Sequence, residues 1–346
     1  MKICLKALSA ALSSLILVNF LCMFYYSAPG DIYRDNGATK SIRRPSSYYI
    51  NSTEGFGINY FDKNGYNNMA GELESPYVLI MGSSHMEATY VSQEKNTPAV
   101  LNSLLGGTNQ KLRVYNIAHA NNPLPDLVRG FQAGIGEFPN SCAVIMEISS
   151  TSFSVTELQD SLQQTIYDQT SDGAYLSQHL TGKQQLRSSL VGWMPFAKFV
   201  LNRQLTSMDL GIGNPFGLLK INNKAEEQFD RDAYATVLDD VFSMIRNEYS
   251  GTIVVLYHPE VVLVGEEMII VRNENTYDIF RYACEDNDIF FLDTGDAFLK
   301  AYEDNYTVPY GFNNTSPGSG HLNADGHRIV ACELYQALSE LQEDWK

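Results

Sequence analysis

Two short stretches near opposite ends of the chain carry residue types suited to nucleophilic acyl chemistry. The first is Val78-Leu79-Ile80-Met81-Gly82-Ser83-Ser84-His85, an apolar run that breaks into Gly-Ser-Ser before a helix-prone segment. A serine at such a strand-to-helix turn exposes its hydroxyl at the carboxyl edge of a sheet, where open α/β folds bind ligands. Its backbone N–H then lies near a helix start and can face a developing oxyanion. The plainer alternative is that Ser83 and Ser84 only cap the helix that follows. The second stretch is Gly318-Ser319-Gly320-His321-Leu322-Asn323-Ala324-Asp325-Gly326-His327, a glycine-rich loop that presents His321 ahead of the last predicted helix. A serine hydroxyl is a weak nucleophile until a neighbouring base takes its proton. An imidazole titrating near neutrality can take that proton and return it to the leaving group. Ser84 as nucleophile and His321 as base are the candidate catalytic pair.

Such a pair needs a scaffold that joins distant segments, and the hydrophobic pattern supplies one. Short apolar runs predict strands at Tyr77–Met81, Leu112–Ile117, Ala143–Ile148, Thr252–Tyr257 and Ile289–Leu292. Amphipathic stretches between them predict helices at Thr97–Leu105, Leu124–Ile135, Ala233–Tyr249, Thr276–Asp286 and Ala324–Leu341. Strands alternating with helices imply a parallel sheet covered on both faces. Residues 151–230 interrupt this rhythm as a largely helical insertion, with a helix at Leu186–Leu205 and a loop at Gly211–Gly217. Residues 31–75, polar and rich in Gly, Asn, Tyr and Ser, read as a stalk and lead-in to a main domain at 76–346.

Other histidines also fall near the predicted sheet edge. His85 follows the candidate nucleophile, His119 lies after the second strand and His258 ends the fourth, so all three are candidates to line a pocket. Each has a structural alternative, in a turn or on the surface. Together with the scattered acids they form no recognisable metal site, and no phosphate-cradling glycine loop is present. Nothing in the pattern calls for a cofactor.

Composition narrows the partners. A formal net charge of −16 would repel phosphate backbones, which excludes nucleic acid as an expected ligand. Residues 7–26 carry no charge and, as a helix, would span about 30 Å, a bilayer's hydrocarbon thickness. Residues 1–30 are thus read as an uncleaved membrane anchor with the N-terminus inside and the body extracellular. Secretion after signal cleavage is the alternative. Of the five cysteines, Cys142, Cys284 and Cys332 lie in the body. They read as buried free thiols, a Cys284–Cys332 bridge being the alternative.

Taken together, these blocks resemble those of the SGNH/GDSL hydrolases. Gly82-Ser83-Ser84-His85 is similar to the family's nucleophile block, with Ser83 in place of the usual aspartate. Val114-Tyr115-Asn116-Ile117-Ala118 resembles its second block, and Gly320-His321-Leu322-Asn323 with Gly326 its C-terminal histidine block. The resemblance covers about residues 76–340 outside the insertion. It is closest to membrane-anchored members that accompany cell-surface polysaccharide O-acylation.

The resemblance implies a three-layer α/β/α sandwich around a mostly parallel, flavodoxin-like sheet. It further implies a serine-dependent O-acyl (above all O-acetyl) esterase or acyltransferase acting on extracellular or cell-envelope carbohydrate, with a membrane-bound acyltransferase as partner. Oxyanion donors would be Ser84, Asn121 (where the family has a glycine) and Ser150 (where the third block lacks its asparagine). The family's aspartate three residues before the histidine is replaced by Gly318. A Ser84–His321 dyad, or an acid borrowed from Asp293, Asp296 or Asp325, would have to serve instead. These departures keep open a second class: a catalytically inactive glycan-binding or scaffold protein that partners a membrane acyltransferase.

Overall fold

The computed structural model describes residues 2–25, 43, 45–69, 76–106, 112–163 and 229–341, with short pieces at 34–35, 176–177, 194 and 196. Helix α1 (Lys2–Tyr25) stands at the N-terminus with its hydrophobic side chains exposed. It is long and apolar enough to cross a membrane, as an anchor or as a signal sequence. A hairpin, β1 (Ser47–Asn51) and β2 (Gly57–Phe61), follows within the lead-in. The segment around Ser84 then supplies β3 (Tyr77–Met81), the four-residue α2 (Ser84–Glu87) and α3 (Thr97–Gly106). Next come β4 (Arg113–Asn116), α4 (Leu124–Glu137), β5 (Ser141–Ile148) and α5 (Val155–Gln163). After the largely undescribed stretch run α6 (Arg231–Glu248), β6 (Thr252–Tyr257) and a second hairpin, β7 (Glu260–Val264) with β8 (Glu267–Val271). The chain closes with α7 (Tyr277–Asp286), β9 (Phe290–Asp293), α8 (Gly295–Asn305) and α9 (Ala324–Leu341).

Five strands form one parallel sheet in the order β9-β6-β5-β3-β4. This is the flavodoxin-like order, whose switch point lies between β3 and β5. Every residue of β3 is buried, as expected for a central strand covered on both faces. Leu79, Met81, Val144, Met146 and Val255 pack on one side against Phe131 of α4, Phe242 of α6 and Phe280 of α7. Val78, Ile80, Ile145 and Val254 pack on the other against Leu101 of α3, Phe298 of α8 and Val330 of α9. Each such fully buried side chain contributes roughly 1.5–3 kcal/mol of hydrophobic stabilisation.

The expected α/β architecture is present, and the predicted strands and helices lie within a few residues of their expected places. The β1–β2 and β7–β8 hairpins, α5 and α8 were not anticipated. The expected helix at Leu186–Leu205 and loop at Gly211–Gly217 fall largely outside the described residues, as does most of the insertion. All five cysteines are free. Cys284 belongs to the core on the α7 side and Cys332 sits in α9 on the opposite face, so the sheet separates them.

His327 joins α9 to α3. It is buried, and its Nδ1 lies 2.9 Å from the Thr97 hydroxyl and 3.3 Å from the Thr97 N–H. Burial above all, and then the imidazoles of His258 and His321, push its pKa down from 6.5 to about 3. The folded value lies below the unfolded one, so this contribution to stability is complete above about pH 6.5. It is lost as pH falls toward about 3, by at most about 1.4 kcal/mol per unit. Urea unfolding of the detergent-solubilised chain is expected to show a lower midpoint at pH 5 than at pH 7. His327→Gln should flatten that dependence; an equally steep slope in the variant would show that His327 does not cause it.

Candidate active site

The turn that follows β3 is held by a buried carboxylate. Glu147, in β5 beside β3, accepts the Ser83 N–H at 2.6 Å and the Ser83 hydroxyl at 3.1 Å. Gly82 makes this possible, since a Cβ there would stand 2.5 Å from Glu147 Oε2. Ser83 caps α2 by accepting the His85 N–H, and Ser84 becomes the first helical residue. Ala88, in the left-handed region at φ 54°, ends the helix after one turn. The loop after β4 is stitched alongside: the His119 N–H and the Asn122 side-chain amide both donate to the Gly82 carbonyl, at 3.2 Å each. Asn116 supports the turn from beneath, donating to the Met86 carbonyl at 2.8 Å.

His321 reaches this turn from the other end of the chain. Its Nε2 lies 2.9 Å from Ser84 Oγ. Its Nδ1 lies 2.9 Å from Glu54 Oε2, and its backbone N–H donates to the same oxygen at 3.1 Å. An ionised carboxylate only accepts, so Nδ1 carries the proton and Nε2 presents a lone pair to the serine. Burial raises the Glu54 pKa, but the hydrogen bonds and charge of His321 outweigh it and leave the carboxyl below its usual range. Gly320, at φ 80°, lets the loop pass Glu54; a Cβ there would come within 2.6 Å of Oε2. Ser84, His321 and Glu54 thus have the mutual geometry of a nucleophile, its base and the acid that orients the base.

Glu54 sits in the turn of the β1–β2 hairpin, and that hairpin is clamped to the segment that follows Ser84. Asn59 donates to the carbonyls of Thr89 and Val91, and Asn51 to the Thr89 hydroxyl. Asn67 spans from Asn59 to the Glu87 carbonyl, and Arg43 pairs with Glu87 at 2.9 Å. Between these anchors Tyr90 stacks on His321, with ring centroids 3.9 Å apart and planes 27° apart.

The remaining expectations fare unevenly. The acid behind His321 is none of the three aspartates first considered. Asp293 binds Arg272 and Tyr277, Asp296 is 94% exposed, and Asp325 faces Arg328 in solvent. His258 does not line a pocket. It is completely buried, donating from Nε2 to Glu147 at 2.5 Å while Nδ1 meets the Tyr310 hydroxyl at 2.8 Å. His119 is also buried, with Nδ1 3.0 Å from the Ala120 carbonyl, so its ring does not face an open cleft. His85 is half-buried, its ring 4.9 Å from that of His321 and 4.6 Å from that of His258. Burial first, and then the imidazoles of His258, His321 and His327, hold His85 well below its usual pKa and keep it neutral. Asn121 is exposed in the left-handed region at φ 58°, within the loop tied to the nucleophile turn. The Ser150 hydroxyl closes a local turn by accepting the Ser152 N–H at 3.0 Å.

Three residues of this site were not recognised from sequence as parts of it. Glu147 had a local signal, as a charge inside an otherwise apolar strand. Glu54 and Tyr90 had none, because their roles depend on contacts across the fold.

No family model matches the chain, and no curated protein matches it. Among solved structures it is similar to the acetyl xylan esterase AlAXEase, with 14% identity over 76% of this chain and 99% of that one, at a TM-score of 0.41. It is also similar to LAE5, an α/β hydrolase enzyme from the metagenome of Lake Arreo, Spain, with 13% identity over 78% and 97% of the two chains, at a TM-score of 0.41. A third is the psychrotrophic esterase EstA from Pseudoalteromonas sp., with 10% identity over 78% and 100% of the two chains, at a TM-score of 0.41.

Proposed function

We propose that the protein is a serine-dependent O-acyl esterase of the SGNH/GDSL type, with Ser84 as nucleophile, His321 as general base and Glu54 as the group that orients it. One observation carries this reading: three segments remote in sequence converge so that Glu54, His321 and Ser84 form a continuous hydrogen-bonded relay, each link 2.9 Å long. The Ser84 oxygen attacks the ester carbonyl as its proton passes to His321 Nε2. The tetrahedral intermediate collapses, the bond to the alcohol oxygen breaks, and Nε2 returns the proton to that oxygen. Water, or a sugar hydroxyl in a transfer reaction, then attacks the acyl carbonyl as its proton passes to Nε2; the bond to Ser84 Oγ breaks and Nε2 returns the proton to that oxygen. Glu54 stabilises the imidazolium formed at each step. Because Glu147 occupies the Ser83 N–H, the Ser84 N–H and the Asn121 N–H serve as oxyanion donors.

The preferred substrate is an O-acetylated carbohydrate of the cell envelope. The apolar α1 favours a body tethered to the outer face of a membrane, close to such glycans and to a membrane-bound acyltransferase. Incubation of the detergent-solubilised protein with a fluorophosphonate is expected to leave a single covalent adduct, located on Ser84 by peptide mass analysis. A folded protein that takes no label would favour the glycan-binding or scaffold alternative instead.

A further inference from the structure

We infer that the outer face of the β1–β2 hairpin rests on the lipid bilayer beside α1, so that the turn carrying Glu54 is held at the membrane surface. The inference rests on α1 as the membrane anchor read above and is independent of the serine chemistry. An antiparallel pair that packs one face on a body ordinarily turns polar side chains to water on the other. This hairpin does not. Asn51, Asn59 and Phe61 face inward and are buried. The outward positions of both strands are Tyr48, Ile50, Ile58 and Tyr60, paired across the ladder as Tyr48 with Tyr60 and Ile50 with Ile58. Tyr48 is 68% exposed and Ile58 46%. Neither strand carries a charged residue, in a chain of net charge −16.

The position of α1 decides what meets this face. Among the described side chains of α1, only Asn19 and Cys22 are partly covered, and both lie in its last two turns. β1 approaches α1 to within 8 Å, Cα to Cα. At about 1.5 Å per residue, Cys22 stands about 5 Å from the end of the helix. β1 therefore lies level with the end of α1 that leaves the hydrocarbon, and not with its middle.

The side chains fit that level. Tyrosine rings concentrate at the headgroup layer, with the apolar body toward the acyl chains and the hydroxyl in water. Tyr48 and Tyr60 meet edge to face with centroids 5.2 Å apart, and Ile58 adds an aliphatic contact on the same face. A second copy of the chain is a poorer occupant. A few half-exposed side chains fall well short of the roughly 1,200–2,000 Å² that stable interfaces bury. The other exposed hairpin face, Val262, Val264, Ile269 and Val271 of β7–β8, shares its outward positions with Glu260 and Glu267. A bilayer would have to desolvate those carboxylates. Because Glu54 lies in the turn that joins β1 and β2, a hairpin lying on the lipid fixes the height of Glu54, and with it of the triad, above the bilayer.

The test uses the full-length protein with Trp193→Phe and Trp345→Phe, which removes both native indoles, reconstituted in phosphatidylcholine vesicles. Tyr48→Trp or Ile58→Trp then places a single indole on the hairpin face. Tyr282→Trp, exposed on α7 beside the far edge strand β9, is the control. Replacing the lipid with phosphatidylcholine brominated on its acyl chains should lower the emission of both hairpin variants about twofold and leave the control within about a tenth of its value. Emission as insensitive as the control's in both hairpin variants, with the protein still floating with the vesicles, would overturn the docked face. A protein partner as the true occupant gives that result, because the vesicles hold only lipid. Protein that does not float with the vesicles would defeat the anchor, and this inference with it. Fluorophosphonate labelling of Ser84 in the same samples reads the esterase proposal separately, so either can fail alone.

Discussion

Ser84→Ala is expected to lower kcat for ester hydrolysis on the order of 10⁶-fold, to the background left by binding and oxyanion contacts alone. The size follows from the absence of a substitute. The neighbouring Ser83 hydroxyl is tied to Glu147, Glu54 is held on the Nδ1 side of the imidazole, and the His85 and Tyr90 rings pack against it. Alanine also removes the Ser84 oxygen without disturbing the cap of α2, which Ser83 supplies. The variant should therefore fold like the wild type. Matching circular dichroism and unfolding midpoints would separate lost chemistry from lost structure. A residual rate within tenfold of wild type, in a preparation shown to be free of wild-type protein, would remove Ser84 from the nucleophile's role.

Glu54→Gln is expected to lower kcat about 10³- to 10⁴-fold while changing KM little, the scale seen when the orienting acid of such a relay is replaced by its amide. The amide can turn its NH₂ toward His321 Nδ1, which then must accept. That leaves the proton on Nε2, where it can no longer receive one from Ser84. It also removes the negative charge that stabilises the imidazolium. Glu54→Asp should recover part of the rate, since it keeps the charge on a shorter arm. The alternative is that His321 works in a dyad, held by the loop alone. In that case Glu54→Gln would cost less than about tenfold, a result that kinetics at saturating ester would expose directly.

These two experiments probe different depths of the sequence. Ser84 and His321 were legible because each sits in a local pattern with its own physical meaning. One is a serine at the end of an apolar strand, and the other is a histidine in a loop whose glycines adopt positive φ. The alternation of strands and helices was legible for a related reason. Burial on both faces of a parallel sheet writes itself into continuous apolar runs, as in Tyr77–Met81. The hairpins were harder to see. In β7–β8, Val262, Val264, Ile269 and Val271 remain exposed, so the hydrophobic pattern does not mark a buried face.

Glu54 marks the limit of that local legibility. It lies 267 residues from His321 in sequence, in a polar turn that resembles many surface turns. Only the clamping of the β1–β2 hairpin by Asn51, Asn59 and Asn67 brings it behind the imidazole. The sequence showed Gly318 where a nearby aspartate would usually stand, and the tertiary fold supplied the carboxylate from the lead-in. His258 shows the converse case. Its place at a strand end suggested a pocket, but the fold buries it between Glu147 and Tyr310, where it braces the nucleophile turn from below. Local sequence thus determined which segments become strands, where the hydroxyl is exposed and which imidazole is loop-borne, because backbone preference and burial act over a few residues. Tertiary structure alone decided which acid completes the relay and which histidines are sealed from solvent, because those depend on distances between segments that only folding sets.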